Sequence, residues 1–224
     1  MMHYFYRQVQ LWGEEKQQLL QSKRIAIIGS GGLGSSLAFA LGSSGIGEIH
    51  LVDFDTVSVH NIHRQIAFKS GDEGRFKSQV CASVIQSRCP YVNVIAHTGD
   101  FEAFIQEGCA VDVILDATDN LPARATINDY AIEKNIPWVY GSVEAFNGQV
   151  CFFEDASFRD LFKITHNTPA GIAAPMVMHI ASLQANLALR YLVDLRVSKD
   201  KLYYLFFNDE GELITQKFGL PKRA

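Results

Sequence analysis

The sequence predicts an α/β fold: a mixed sheet with a parallel N-terminal half, helices on both faces of that half, and antiparallel C-terminal hairpins. Three observations predict it. The apolar run Ile25–Ile28 enters the glycine turn Gly29-Ser30-Gly31-Gly32-Leu33-Gly34, a helical pattern comes next, and a second apolar run ends on Asp53. That succession is a strand–turn–helix–strand unit, which builds parallel sheets. The wholly apolar Val113-Ile114-Leu115 has the character of a strand covered on both faces. Beyond about residue 142, Asn147-Gly148 and Asn208-Asp209-Glu210-Gly211 each lie between apolar runs, as hairpin turns do.

In order along the chain, residues from about Tyr4 to Ser22 set aromatics and leucines on one side and predict one or two helices. Lys23–Ile28 reads as the first strand, Leu33–Ser44 as a helix closed by Gly45 and Gly47, and Glu48–Asp53 as the second strand. Helical periodicity returns at Lys77–Arg88, and Val92–His97 alternates as a strand. Ala123–Lys134 is helical in pattern, and Trp138–Tyr140 is a short buried strand. Val143–Phe153 reads as a hairpin turning at Asn147-Gly148, and Leu202–Phe207 with Leu213–Phe218 as a second one. The run Tyr203-Tyr204-Leu205-Phe206-Phe207 is expected to be sheet core. The apolar stretch from Gly171 to Val193 carries His179, Gln184, Asn186 and Arg190, so it reads as a core helix rather than a membrane span.

No repeat, linker or low-complexity segment interrupts the pattern, so residues 1–224 read as one domain. Its parts are a helical segment (1–22), a nucleotide-binding half (23–142) and a second half (143–224). The formal net charge is −4 with no basic stripe, which disfavours nucleic acid as the main ligand. Cys81, Cys89, Cys109 and Cys151 are scattered without a C-x-x-C pair, so reduced thiols in the cytoplasm are expected and a zinc knot is not. The N-terminus lacks the basic-then-apolar pattern of a secretory leader.

The chemistry lies around the glycine turn. Glycines let the backbone approach phosphates, and the helix after the turn points free N–H groups at them. Asp53, at the end of the second strand, stands where a ribose hydroxyl needs an acceptor. A lone G-x-G-x-x-G favours a dinucleotide oxidoreductase, but the residues after Asp53 do not suit a nicotinamide slot. Asp55-Thr56-Val57-Ser58-Val59-His60-Asn61-Ile62-His63-Arg64-Gln65 and then Gly74-Arg75-Phe76-Lys77 bring Arg64 and Lys77 to where a triphosphate would lie, with Asn61 adding a neutral amide. Such cations stabilise the charge that develops when an α-phosphate is attacked. Leu115-Asp116-Ala117-Thr118-Asp119-Asn120 closes a buried strand at the edge where doubly wound sheets bind ligands. Asp119 there either holds Mg²⁺ or caps the helix containing Arg124. His60 and His63 read as exposed positions between fixed contacts, and Cys151 as a small buried hydrophobe.

These segments together resemble the ThiF/MoeB/HesA family, relatives of the ubiquitin-activating enzymes, whose fold is Rossmann-like. GSGGLG, DFDTVSVHNIHRQ, the lysine of GRFK, and DATDN carry the likeness. Tyr6-Arg7-Gln8-Val9-Gln10-Leu11-Trp12-Gly13 is similar to the family's N-terminal signature with a shortened spacing before Arg7. The resemblance implies an adenylyltransferase. It would use ATP and Mg²⁺ to join AMP to the C-terminal glycine carboxylate of a ubiquitin-like sulfur carrier ending in Gly-Gly, ThiS- or MoaD-like, in thiamine or molybdopterin synthesis. By motif, Gly29, Gly31, Gly32 and Gly34 would line the phosphate turn and Asp53 would hold the ribose. Asn61, Arg64 and Lys77 would meet the phosphates, with Asp55, Gln65 and Asn120 beside them, and Asp119 would serve the metal. Arg7 resembles an arginine that relatives donate to the neighbouring protomer's ATP, which implies a homodimer. The second half, 143–224, would receive the carrier.

Two departures from the family stand out. The paired C-x-x-C motifs that hold zinc in MoeB- and ThiF-like proteins are missing, so no structural zinc is expected. The loop Thr165-His166-Asn167-Thr168-Pro169-Ala170-Gly171 has no cysteine, which disfavours a thioester or persulfide step. The segment Pro169–Pro175 is expected to be a mobile crossover over the site, with His166 able to meet the carrier tail. Three rival functions remain: adenylation of a small molecule or tRNA-bound carboxylate, as in threonylcarbamoyladenosine dehydratases; NAD-dependent oxidoreduction; and carrier binding without catalysis.

Overall fold

The computed structural model describes residues 2–163 and 171–223. Two short helices, α1 (Tyr6–Trp12) and α2 (Glu14–Gln21), precede a repeating pattern of β1 (Arg24–Ile28), α3 (Gly32–Gly42), β2 (Glu48–Val52), α4 (Lys77–Arg88), β3 (Asn93–His97), α5 (Phe101–Glu107), β4 (Val113–Asp116), α6 (Leu121–Lys134) and β5 (Trp138–Glu144). Then come β6 (Asn147–Phe153), the long α7 (Ala174–Leu192), β7 (Lys201–Phe207) and β8 (Leu213–Gly219). The strands form one sheet in the order β3-β2-β1-β4-β5-β6-β7-β8. Pairings from β3 through β5 are parallel, and those from β5 through β8 antiparallel, as the sequence predicts.

Alternation along β1 shows how the layers arise. Ile25 and Ile27 join the core beneath α3, α4 and α7, whereas Ala26 and Ile28 join the core beneath α5 and α6. Both sets are buried, which is why the strand reads as continuously apolar. The apolar stretch before Val193 is α7, packed on α3 and on β5 and β6. Among the described residues no helix is long and apolar enough to cross a membrane.

The structure corrects three expectations. The sequence pattern gives no sign of helix α5. It has only seven residues, although Asp100 caps it (Oδ1 accepts from the Ala103 N–H at 2.9 Å) and Gly108 ends it at φ 68°. The first hairpin does not turn at Asn147-Gly148, because Glu144 faces Asn147 across the ladder and the turn is Ala145-Phe146. Gly148 instead admits α7: a Cβ there would stand 2.3 Å from Ile180 Cδ1. Ala145 is held at φ 51° because its N–H donates to Gly171 O (2.8 Å) and its carbonyl accepts from the Ala173 N–H (3.0 Å). Finally, within Tyr203–Phe207 only Leu205 is buried, since β7 lies one strand from the exposed edge strand β8. Residues 164–170, with His166 and the first two residues of the expected crossover Pro169–Pro175, lie outside the described residues, and the crossover's last two, Ala174 and Pro175, already belong to α7.

Candidate active site

A cleft of about 830 Å³ runs along the C-terminal ends of the parallel strands. Its floor is the glycine turn. Gly29 adopts φ 97°, and a Cβ on it would meet Ala117 O at 2.6 Å, so the β1–β4 approach requires glycine. Helix α3 starts from Gly31 without a side-chain cap, which leaves its first N–H groups to be satisfied from the cleft.

Asp53 closes the turn from the β2 side. Its Oδ2 accepts from the Ser30 N–H at 2.5 Å and its Oδ1 from the Asp55 N–H at 2.8 Å. Burial pushes this carboxyl above the usual carboxylate range, against the pull of those two N–H groups and of Lys77. Lys77, the first residue of α4, is 6 % exposed, and its Nζ lies 2.7 Å from Asp55 Oδ2. Asp55 is itself exposed, so it is a displaceable partner for a buried ammonium. Arg64 lies half-buried with Nη1 3.0 Å from His63 Nε2. Gln65 is buried in the cleft wall and its Oε1 has no partner among the described residues.

The segment after β4 is anchored from below. Asp116 is fully buried and takes Arg124 Nε at 3.2 Å, Thr118 Oγ1 at 2.6 Å and the Thr118 N–H at 2.9 Å. Burial pushes its carboxyl up while Arg124 and Thr118 pull it down. Arg124 also donates through Nη2 to Thr118 O (2.8 Å) and Gly141 O (3.3 Å), with its guanidinium 5.2 Å from the Tyr140 ring centre. The cap of α6 is Asn120, whose Oδ1 accepts from the Ala123 N–H at 2.9 Å, so the capping role open to Asp119 falls to its neighbour. Asp119 is exposed on the cleft, with Asn120 Nδ2 at 3.3 Å.

The ThiF family model matches residues 5–223. The chain belongs to the ThiF family. It is 36% identical over 163 residues to a probable adenylyltransferase/sulfurtransferase MoeZ of Mycobacterium tuberculosis, covering 67% of this chain and 41% of the relative. It is 30% identical over 214 residues to adenylyltransferase and sulfurtransferase MOCS3 of Caenorhabditis briggsae (90% and 53%). A sulfur carrier protein adenylyltransferase of Thermus thermophilus is 30% identical over 227 residues, covering 94% of this chain and 83% of that one. The chain thus spans about half the length of the first two. A crystal structure of E. coli MccB with ATP superposes with a TM-score of 0.84 at 20% identity, over 97% of this chain and 71% of that one; a PaaA structure does so with 0.84, 20%, 98% and 73%. These likenesses show a shared fold.

Within this ThiF-family cleft the structure brings together Gly29, Gly31, Gly32, Asp53, Asp55, Arg64, Gln65, Lys77, Asp119 and Asn120. Three other residues singled out by motif do not line it. Gly34 lies in the first turn of α3, where a Cβ would stand 1.9 Å from Gly29 O, so its role is close helix–turn packing. Asn61 supports the segment through its carbonyl, which accepts from the Arg64 and Gln65 N–H groups at 3.2 Å each. Arg7 is exposed on α1, with Nη1 3.1 Å from Gln10 Oε1. His60 is exposed and pairs with Ser58 Oγ at 2.9 Å, and neither it nor His63 lines the cleft. Cys151 is buried in β6 and its thiol is pushed far up by burial. Sequence reasoning missed Arg124, Tyr140 and Gln149, which line the far end. Arg124 offered one signal, a lone cation on a largely apolar helix face four residues after Asn120.

Proposed function

We propose that this chain is an ATP-dependent adenylyltransferase acting on the C-terminal glycine carboxylate of a ubiquitin-like sulfur carrier, ThiS- or MoaD-like and ending in Gly-Gly. The observation that carries the reading is the pair Lys77 and Arg64 beside an uncapped helix start, with the hydrogen-bonded carboxylate of Asp53 on the ribose side. A nicotinamide slot is flat and weakly charged, whereas a triphosphate calls for two cations beside it. The names of the MOCS3, MoeZ and sulfur carrier protein adenylyltransferase relatives support the same chemistry.

In the reaction a carboxylate oxygen of the acyl terminus bonds to the α-phosphorus as the bond to the α–β bridging oxygen breaks. Pyrophosphate leaves with that electron pair, giving an acyl adenylate. The attacking carboxylate is already ionised, so no general base is needed. Catalysis is positioning plus charge stabilisation. Lys77 exchanges Asp55 for phosphate oxygens, Arg64 and the α3 N–H groups hold the remainder, and Asp53 fixes the ribose. The residues also fit magnesium, which needs only one or two carboxylates beside phosphate oxygens, and Asp119 is uncommitted to the helix cap. When bound, the ion would neutralise phosphate charge. We place the protein in the cytoplasm, consistent with its free thiols, as a homodimer in which Arg7 reaches the neighbouring site, serving thiamine or molybdopterin synthesis.

ATP–pyrophosphate exchange against a panel of Gly-Gly carriers, with small carboxylates and tRNA alongside, tests the reading. Carrier-dependent exchange supports it. Exchange driven only by a small carboxylate or tRNA moves the chain to the dehydratase-like branch, and binding of a pyridine dinucleotide without ATP binding overturns it.

A further inference from the structure

Along its C-terminal edge the parallel part of the sheet, with β6 beside it, runs β3, β2, β1, β4, β5, β6. The cleft tracks that edge, from Phe101 past β3, through Asp53 past β2 and the glycine turn past β1, to Thr118 past β4 and Gln149 on β6. A nucleotide with its ribose at Asp53 and its phosphates at the glycine turn occupies the β2–β1 side. The group that reacts with the phosphate therefore lies toward β4–β6.

Two donors on that side lack acceptors among the described residues. Arg124 commits Nε to Asp116 and Nη2 to two carbonyls, while its Nη1 donates to no described residue, although Arg124 lines the cleft. Gln149 Oε1 accepts from the Tyr140 hydroxyl at 2.8 Å, which turns its Nε2 into a donor without a partner among the described residues. Asp116 neutralises Arg124, so the pair presents N–H groups with little net charge. Such donors suit an acyl carbonyl or a single carboxylate better than a polyphosphate, which the cations Arg64 and Lys77 match.

We propose that Arg124 and Gln149 are the residues that hold the acyl half of the substrate, donating through Nη1 and Nε2 to the oxygens of its terminal carboxylate and adjacent peptide carbonyl. The proposal rests on the adenylation reading and adds the acyl subsite to it. It commits the substrate to a peptide-like terminus with a carbonyl next to the reacting carboxylate. Val143 and Ile172 supply the apolar wall beside it.

Two stable probes separate the halves: 5′-O-sulfamoyladenosine, which lacks an acyl group, and its N-(acetylglycyl) derivative. Calorimetry on the full chain, with ATP as a control ligand, gives the affinity ratio of the two. The wild type is expected to prefer the acylated probe. Gln149→Glu keeps the acceptor for Tyr140 and removes both N–H donors, and Gln149→Met removes them without adding charge. Each is expected to cut that preference about tenfold, the effect of one hydrogen bond, while leaving sulfamoyladenosine binding unchanged. Arg124→Lys should act in the same direction, and if it fails to fold the Gln149 pair decides. Gln149 variants that keep the wild-type ratio, or that weaken both probes equally, overturn the proposal while ATP binding leaves the adenylation reading standing. A wild type that binds neither ATP nor sulfamoyladenosine overturns both.

Discussion

Replacing Gly34 by alanine tests how the phosphate turn is made. Gly34 does not face the cleft; its Cα side is pressed against the turn it supports, and an added Cβ would stand 1.9 Å from Gly29 O and 2.7 Å from Gly29 C. Both neighbours are backbone and cannot rotate away. Ordinary contact begins at about 3.4 Å, so the start of α3 has to retreat from the turn by about 1.5 Å. Overpacking of this kind costs about 1–3 kcal/mol. The displacement falls on the N–H groups that meet phosphate, and a misplacement of about 1 Å costs about 10²-fold in rate. Urea titration should therefore show a lower midpoint at unchanged slope, and ATP–pyrophosphate exchange should drop about a hundredfold. Gly31→Ala is the control. Its Cβ would meet only Gln65 Nε2, at 3.4 Å, and should perturb stability far less. A Gly34→Ala protein with the wild-type midpoint and wild-type exchange would refute the claim that helix–turn approach sets the site.

Three further outcomes are expected. Arg64→Ala should reduce adenylation about 10²–10³-fold, the loss of one charge-stabilising donor; mixing it with Arg7→Ala protein should restore part of the activity through hybrid dimers, and failure to rescue would show that each protomer works alone. A thiol reagent should reach Cys109 first in the native chain, because Cys81, Cys89 and Cys151 are buried and burial pushes Cys81 up to about 12; native labelling of Cys151 at the rate of Cys109 would contradict this packing. His50 is buried and its pKa is lowered, chiefly by burial, with Nδ1 2.9 Å from His97 Nε2. The unfolded chain thus binds this proton at a higher pH than the folded one, so stability is full above about pH 6.5 and falls as pH drops below it, by at most about 1.4 kcal/mol per pH unit. His50→Gln should flatten that slope between about pH 5 and 7 in urea titrations, and an unchanged slope would assign it to another group.

The parts of this fold legible in the sequence were those written locally. The buried strands, the glycine turn, Lys77–Arg88 and the Asn208–Gly211 turn each announce themselves within a dozen residues, and the order of signals fixes a parallel half before an antiparallel one. Helix α5 escaped because two turns are too few for a period to show. The Ala145-Phe146 turn escaped because its backbone is held from outside, by Gly171 and Ala173, while the better turn pair Asn147-Gly148 serves the packing of α7. The carboxylates near the glycine turn were legible for a similar reason, since Asp53 and Asp119 come directly after β2 and β4, and the cations Arg64 and Lys77 were legible because they stand in the one segment between β2 and the start of α4. Arg124, Tyr140 and Gln149 were not, since they meet only once β4, β5 and β6 lie side by side.

Buried polar residues explain why the cleft opens where it does. The ladder between β4 and β5 joins Ile114 to Trp138 and Leu115 to Val139, and goes no further. Beyond it the strands diverge and their carbonyls lose partners, which is costly in a dry interior. Gln184, fully buried on α7, repairs one side: its Nε2 donates to Asp116 O at 2.7 Å and Val139 O at 3.2 Å. Arg124 repairs the other through Thr118 O and Gly141 O. Gly141 is required at that place because a Cβ there would stand 2.3 Å from the Gln184 side chain. One of the four polar residues that mark α7 as unfit for a bilayer, Gln184, therefore has a positive purpose. It lets two parallel strands part at the point where Asp116 turns into the Thr118–Asn120 segment, so the groups that would hold metal and acyl terminus stand on a rigid rim.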